Sequence, residues 1–132
     1  MLIKKDTEYA VLGLMLLAEK KHQFQDARIV AQNHGISESL LPKIFRKLAC
    51  ADILESKLGP GGGFRLLKDP KEISLFEIIR AVQAPNVIKC YEGKAPYCQK
   101  PICALRETVR KMEHYLENYL SNTTLNELIN NY

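Results

Sequence analysis

Residues 25–68 read QDARIVAQNHGISESLLPKIFRKLACADILESKLGPGGGFRLLK, and no other stretch restricts the fold as much. The first part, QDARIVAQNHG, has the pattern of a short helix capped by Asp26 and stopped by Gly35. Ser37 then opens a second helical pattern, with Leu40, Leu41, Ile44, Phe45 and Leu48 on one face. Two short helices joined by a turn of about four residues containing glycine form a helix-turn-helix pattern. Pro42 falls just past the first turn of the second helix, where the missing N–H predicts a distorted start. Two β-type runs, ILESK and FRLL, follow on either side of GPGGG, which predicts a hairpin with a glycine tip. The glycines do not form a phosphate loop, because no Gly-Lys-Ser/Thr follows and no helix opens there.

Helix-turn-helix followed directly by a hairpin is the winged-helix order. In that architecture the second helix enters the DNA major groove, and the wing lies along the adjacent backbone or minor groove. The charge distribution fits. The net charge is +4, and the whole excess lies in residues 1–89. Residues 43–68 alone hold Lys43, Arg46, Lys47, Lys57, Arg65 and Lys68 against Asp52 and Glu55. Such a surface suits phosphate, although a solvated, mildly basic face is the plainer reading of the charge alone.

Around this unit, DTEYAVLGLMLLAEK (6–20) reads as a first helix opening on a capping Asp6. SLFEIIRAVQ carries a capping box from Ser74 to Glu77. The segment 103–120 places Leu105, Val109, Met112, Leu116 and Tyr119 at steps of four, three, four and three, a short coiled-coil-like seam that suits either packing on its own domain or, as expected for a long C-terminal helix, pairing with a second copy. TTLNEL adds a last short helix capped by Thr124. The fold class expected is mainly α with a small β-hairpin wing: a winged helix-turn-helix domain plus a long C-terminal dimerisation helix. The expected divisions are 1–83 for the DNA-binding domain, 84–103 for a cysteine loop, and 104–132 for the dimerisation and C-terminal helices.

The cysteine loop, KCYEGKAPYCQKPIC, spaces its thiols as Cys90-x7-Cys98-x4-Cys103. Zinc knuckles use tighter pairs, and only the second interval reaches that range. An iron–sulfur cluster accepts thiolates from a long loop, and two of the thiols forming a redox disulfide is the third possibility. Lys89, Lys94 and Lys100 favour thiolate in every case. Cys50, in KLACADIL, is expected to be buried as a small hydrophobe. The run AVLGLMLLA at 10–18 is too short to span a membrane, and no charged segment with a cleavage site precedes it, so the expected compartment is the cytoplasm, with no membrane partner. No nucleophile–base pair or carboxylate dyad stands out, and His22, His34 and His114 are scattered, so an enzyme is not expected.

TEYAVLGLMLLA, GISESLLPKIFRKL, LGPGGGFRLLKDP, ISLFEIIRAVQ, the three-cysteine loop and TTLNEL, in this order, resemble the Rrf2 family of bacterial transcription regulators over nearly the whole chain. The resemblance implies a homodimer that binds a double-stranded DNA operator and carries an iron–sulfur cluster, of the 2Fe-2S or 4Fe-4S type. Cys90, Cys98 and Cys103 match the cluster-ligand positions. In one branch of the family a histidine three residues after the last cysteine completes the site; here Arg106 stands there. In another branch a carboxylate near the N-terminus reaches in from the partner subunit, and Glu8 occupies that place, with His34 as the reserve candidate. A carboxylate is a hard, displaceable ligand, which suits a sensor. The plainer role for Glu8 is a first-turn helix carboxylate. On the DNA side, the resemblance implies contacts from Ser37, Ser39, Lys43 and Lys47 of the recognition segment and from Lys57, Gly61 and Gly62 of the wing. Leu58 stands where some members have a wing arginine, and Pro42 where they have a base-discriminating glutamate, so target preference is not expected to follow those members. The expectation is a DNA-binding regulator controlled by its cluster through iron, nitric oxide or redox state. Two alternatives stay open: a cluster-free thiol/disulfide switch of the same fold, and an interaction module that no longer binds DNA.

Overall fold

The computed structural model describes residues 3–83 and 103–131. Six α-helices and one hairpin make up the described residues: α1 (Lys5–Ala18), α2 (Ala27–His34), α3 (Leu41–Cys50), β1 (Leu54–Lys57), β2 (Gly63–Leu66), α4 (Leu75–Val82), α5 (Ala104–Asn122) and α6 (Leu125–Asn130), with a 3-10 turn at Pro70–Glu72. No helix among the described residues is long and apolar enough to cross a membrane.

Helix α1 starts two residues earlier than a capping Asp6 would place it. Lys4 is the N-cap and its carbonyl accepts from the N–H groups of Thr7 and Glu8, at 2.9 and 3.1 Å. Asp6 is therefore a first-turn carboxylate and not the cap. The start of α1 is held instead by Gln83, whose Oε1 accepts from the Lys4 N–H at 2.9 Å and from the buried Thr7 hydroxyl. Helix α2 keeps its expected ends: Asp26 accepts from the Arg28 N–H and Gly35 closes the helix in the left-handed conformation at φ 67°. At α3 the distortion expected from Pro42 is a separate turn. Ser37 accepts through its carbonyl from the Leu40 and Leu41 N–H groups, and the regular helix begins at Leu41. Proline in the first helical turn costs no hydrogen bond, because the N–H it lacks has no intrahelical partner there.

The core lies between α1, α3, α4 and the hairpin. Leu14, Leu17, Leu41, Ile44, Phe45, Leu48, Ile53 and Ile78 are fully buried. Gly13 brings α1 onto α3: a Cβ there would sit 2.6 Å from the Phe45 ring and 3.2 Å from Leu41. Phe45 in turn meets Phe64 of β2 edge to face, with centroids 5.4 Å apart, which ties the hairpin to α3. The hairpin pairs Leu54 with Leu66 and Lys57 with Gly63, and Gln25 adds a third short edge by exchanging two 2.9 Å bonds with Phe64. The chain closes on itself at α6. Leu75 donates to Thr123 and Leu125 to Ile73, both at 2.8 Å, and the Leu125 side chain is buried in the same core as α1 and α3.

The expectation for Cys50 is corrected: its side chain is exposed. Nine positions separate it from Leu41, and at about 100° per residue that turns it to the side of α3 opposite the buried stripe.

Candidate functional site

The buried stripe of α3 leaves one face outside. Lys43, Arg46, Lys47 and Cys50 are exposed at i, i+3, i+4 and i+7, so three cations share one side of the helix. Lys43 and Lys47 are among the expected DNA contacts. Arg46 completes the same face and is a further candidate, legible in the sequence only once the buried stripe is known. Lys47 leans toward α1, with Nζ 3.9 Å from Asp6 Oδ2 across a largely exposed contact. In the turn ahead of α3 the Ser37 and Ser39 hydroxyls lie 3.1 Å apart, with Ser39 exposed and Ser37 half-buried. Both are placed in the turn between the two helices.

The wing is braced from one side by Phe24. The Lys57 ammonium stands 5.6 Å and the Arg65 guanidinium 4.3 Å from its ring centroid. Arg65 Nε also donates to Glu55 Oε2 at 2.9 Å across the hairpin. At the tip Gly59 and Gly61 have φ of 86° and 72°, conformations that L side chains avoid. Gly62 has a different constraint, since a Cβ there would run into the Lys57 carbonyl. Leu58 is 96% exposed at this tip.

The metal-ligand candidates fall in two groups. Cys90 and Cys98 lie outside the described residues. Cys103 is the N-cap of α5, half-buried, with its carbonyl accepting from the Glu107 N–H at 3.1 Å. A thiol at a helix N-terminus is favoured as thiolate by the unpaired N–H groups and their dipole, which is the form that binds iron. The donor set at this position therefore fits a cluster ligand. Glu8 is exposed in the first turn of α1, His34 is exposed at the end of α2, and Arg106 is half-buried in the first turn of α5. Among the described residues of one chain, no three or more His, Cys, Asp or Glu side chains are grouped to hold a metal ion.

Helix α5 contributes little to the core of its own chain; of its residues only Leu120 is buried. Leu105, Met112 and Tyr119 are 63%, 49% and 63% exposed and recur every seven residues, within about 40° of one another around the helix. Tyr115, 69% exposed, widens the stripe, while Val109 and Leu116 lie half-buried beside it.

Comparison with known proteins gives a consistent picture. The family model "Rrf2: Iron-dependent Transcriptional regulator" matches residues 3–131. The HTH-type transcriptional regulator NsrR of Bacillus licheniformis is 30% identical, over 95% of this chain and 90% of its own length. The HTH-type transcriptional regulator IscR of Klebsiella pneumoniae is 34% identical, over 77% of this chain and 63% of its own. The oxidised form of Staphylococcus aureus CymR superposes with a TM-score of 0.71 at 25% identity, covering 98% of this chain and 96% of that one.

Proposed function

The chain belongs to the Rrf2 family of transcriptional regulators, and from that premise we propose that it is a homodimeric DNA-binding regulator whose operator affinity is set by an iron–sulfur cluster. The observation that carries this reading is the start of α5, where Cys103 caps a helix that also bears the exposed apolar stripe. One residue thus joins the ligand position to the surface that pairs the subunits.

Cys90, Cys98 and Cys103 would hold the cluster, with Glu8 of the partner subunit as the exchangeable fourth ligand. When bound, the cluster supplies iron whose ligation responds to iron supply, nitric oxide or redox state. The chain's own groups do the rest. Cys103 would present its thiolate at the head of α5, and the Glu8 carboxylate, as a hard ligand, would be the one most readily exchanged. The C-cap of α5, Thr123, accepts from the Leu75 N–H, and Leu125, the first residue of α6, donates to Ile73, so a displacement of α5 would be passed on to the DNA-binding unit. Two recognition helices must meet half-sites about one helical turn apart, and a small rotation at the α5 stripe changes that distance. The exposed α3 face and the wing, through Ser37, Ser39, Lys43, Lys47, Lys57, Gly61 and Gly62, would contact DNA.

The test is anaerobic purification with an absorption spectrum and iron and sulfide assays, on wild type, Cys103→Ser and Glu8→Ala, followed by operator titration of loaded and cluster-free protein. Iron and sulfide in matching amounts, lost in Cys103→Ser, are expected. Loaded and cluster-free dimers are expected to differ in affinity by about 5- to 150-fold. Equal affinities would sink the mechanism.

The thiol switch is the second reading, favoured by the likeness to a regulator solved in an oxidised form. Here Cys98 and Cys103, or Cys90 and one of them, would as two thiolates give up two electrons to peroxide, forming one disulfide and, with two protons taken up, two waters. It predicts colourless protein after reconstitution, a peroxide-dependent disulfide, and no effect of Glu8→Ala.

A further inference from the structure

We propose that Leu58 is an apolar wedge that enters the DNA minor groove from the wing tip and sets base preference there through what it cannot hydrogen-bond. The proposal rests on the DNA-binding reading above.

A single exposed leucine is ordinary on a protein surface. Leu58 differs in how it is held. At 96% exposure its side chain lies almost wholly in solvent. The tip that presents it has little freedom: the Gly62 N–H donates to the Gly59 carbonyl at 3.0 Å, and Gly59, Gly61 and Gly63 all have positive φ. A Cβ on Gly62 or Gly63 would collide with backbone, of Lys57 and of Gln25 respectively. Below the tip, Phe24 stands against both Lys57 and Arg65, and Phe64 packs edge to face on Phe45 of α3. The base of the hairpin is therefore tied to α3 by packing, and the turn that carries Leu58 is closed by its own backbone bond.

The surroundings name the partner. Lys57 precedes Leu58, and the stretch 43–68 carries six cations against two carboxylates, which suits a phosphate-lined groove and not an apolar protein surface. Leucine has no donor or acceptor. At A·T pairs the minor-groove floor presents only acceptors, whereas G·C adds the protruding guanine N2 amino group. An apolar side chain pressed there strips water from that amino group without replacing its hydrogen bond. Leu58 should therefore favour A·T and reject G·C, and as a wedge it should favour steps that unstack easily.

The experiment takes duplexes enriched by the full-length wild-type protein from a random-sequence pool and titrates them at several salt concentrations. At the wing position, A·T→G·C is expected to lower affinity about tenfold. Inosine·cytosine, which lacks the N2 amino group, should restore it. Leu58→Ala should bring the A·T to G·C ratio close to one without changing the salt slope, since no charge is lost, while Leu58→Met keeps the ratio. Lys43→Ala should instead weaken all duplexes evenly and reduce the salt slope by about one. An unchanged ratio in Leu58→Ala, or inosine behaving as guanine, overturns the wedge. So does a lower Tm for Leu58→Ala, which would place the side chain in a protein contact. A wild-type protein that enriches no duplex overturns the DNA-binding reading and the wedge with it.

Discussion

Gly13 is the residue on which the contact between α1 and α3 depends. It lies in a helix, where glycine is disfavoured by roughly 1 kcal/mol relative to alanine. Helix propensity alone would therefore recommend Gly13→Ala. The packing reverses that recommendation, because the new methyl would meet the Phe45 ring at 2.6 Å. Phe45 is fully buried and already in contact with Phe64, so it cannot simply rotate away. Gly13→Ala is expected to destabilise the protein by about 1–3 kcal/mol, measured by denaturant unfolding. A stabilised variant would mean that α1 can slide off α3. Nothing in AVLGLMLLA distinguishes this glycine from one that merely interrupts a helix; only the ring opposite it does.

At the scale of elements, helix ends are the part of this fold written most directly in the chain. Ser74 and Glu77 form the reciprocal capping box of α4, with the Ser74 N–H donating to the Glu77 carboxylate at 2.9 Å and the Glu77 N–H donating to the Ser74 hydroxyl at 3.1 Å. The backbone bond from Ser74 is the main reason the Glu77 carboxyl titrates below its ordinary value of 4.5; burial opposes it, and Lys68 at 3.2 Å and the Ser74 hydroxyl add to the lowering. A carboxyl with a lowered folded pKa contributes stability that is complete above its ordinary value and is lost as the pH falls through the folded one. Glu77→Gln is therefore expected to lower Tm at pH 7, and the gap from wild type should close in acid below pH 4.5. Thermal scans across that range check it, and a gap independent of pH would mean that the carboxylate charge has no part in the cap. Ser74→Ala, which removes the hydroxyl that accepts from the Glu77 N–H and donates to its carboxylate at 3.2 Å, should cost about 1 kcal/mol at pH 7.

For the whole molecule, the decisive feature is a 19-residue helix with an apolar stripe that stands exposed among the described residues. Leu105, Met112, Tyr115 and Tyr119 run along α5, and the proposed pairing with a second copy would bury all four at once. Leu105→Glu with Tyr115→Glu is expected to give a monomer in sedimentation, with Tm changed little once concentration is accounted for, because neither side chain belongs to the core. Operator affinity should fall with dimerisation, since two half-sites are then no longer read together. A dimer that survives both substitutions would move the pairing surface elsewhere. The same scale explains why α6 matters. Leu125 is buried among residues of α1, α3 and α4, so the end of the chain is built into the unit that carries the recognition helix.

The chain by itself determined the order of elements, the caps at Asp26, Ser74 and Thr124, the glycine-tipped hairpin and the family likeness, because each of these is set by neighbours a few residues apart. Its spacing also placed Leu105, Met112 and Tyr119 on one side of α5, where all three stand exposed. Only the tertiary structure decided which way a helix faces when its polarity is mixed. Cys50 sits between alanines in an apolar stretch, yet points outward beside Lys43, Arg46 and Lys47, because the ring of Phe45 and its companions claim the opposite side. Asp6 looks like a cap and is not one, because Gln83, 79 residues beyond Lys4, holds the start of α1. A local signal decides where a helix begins or ends only when no distant residue makes a better bond; where one does, the packing of the whole chain settles the outcome.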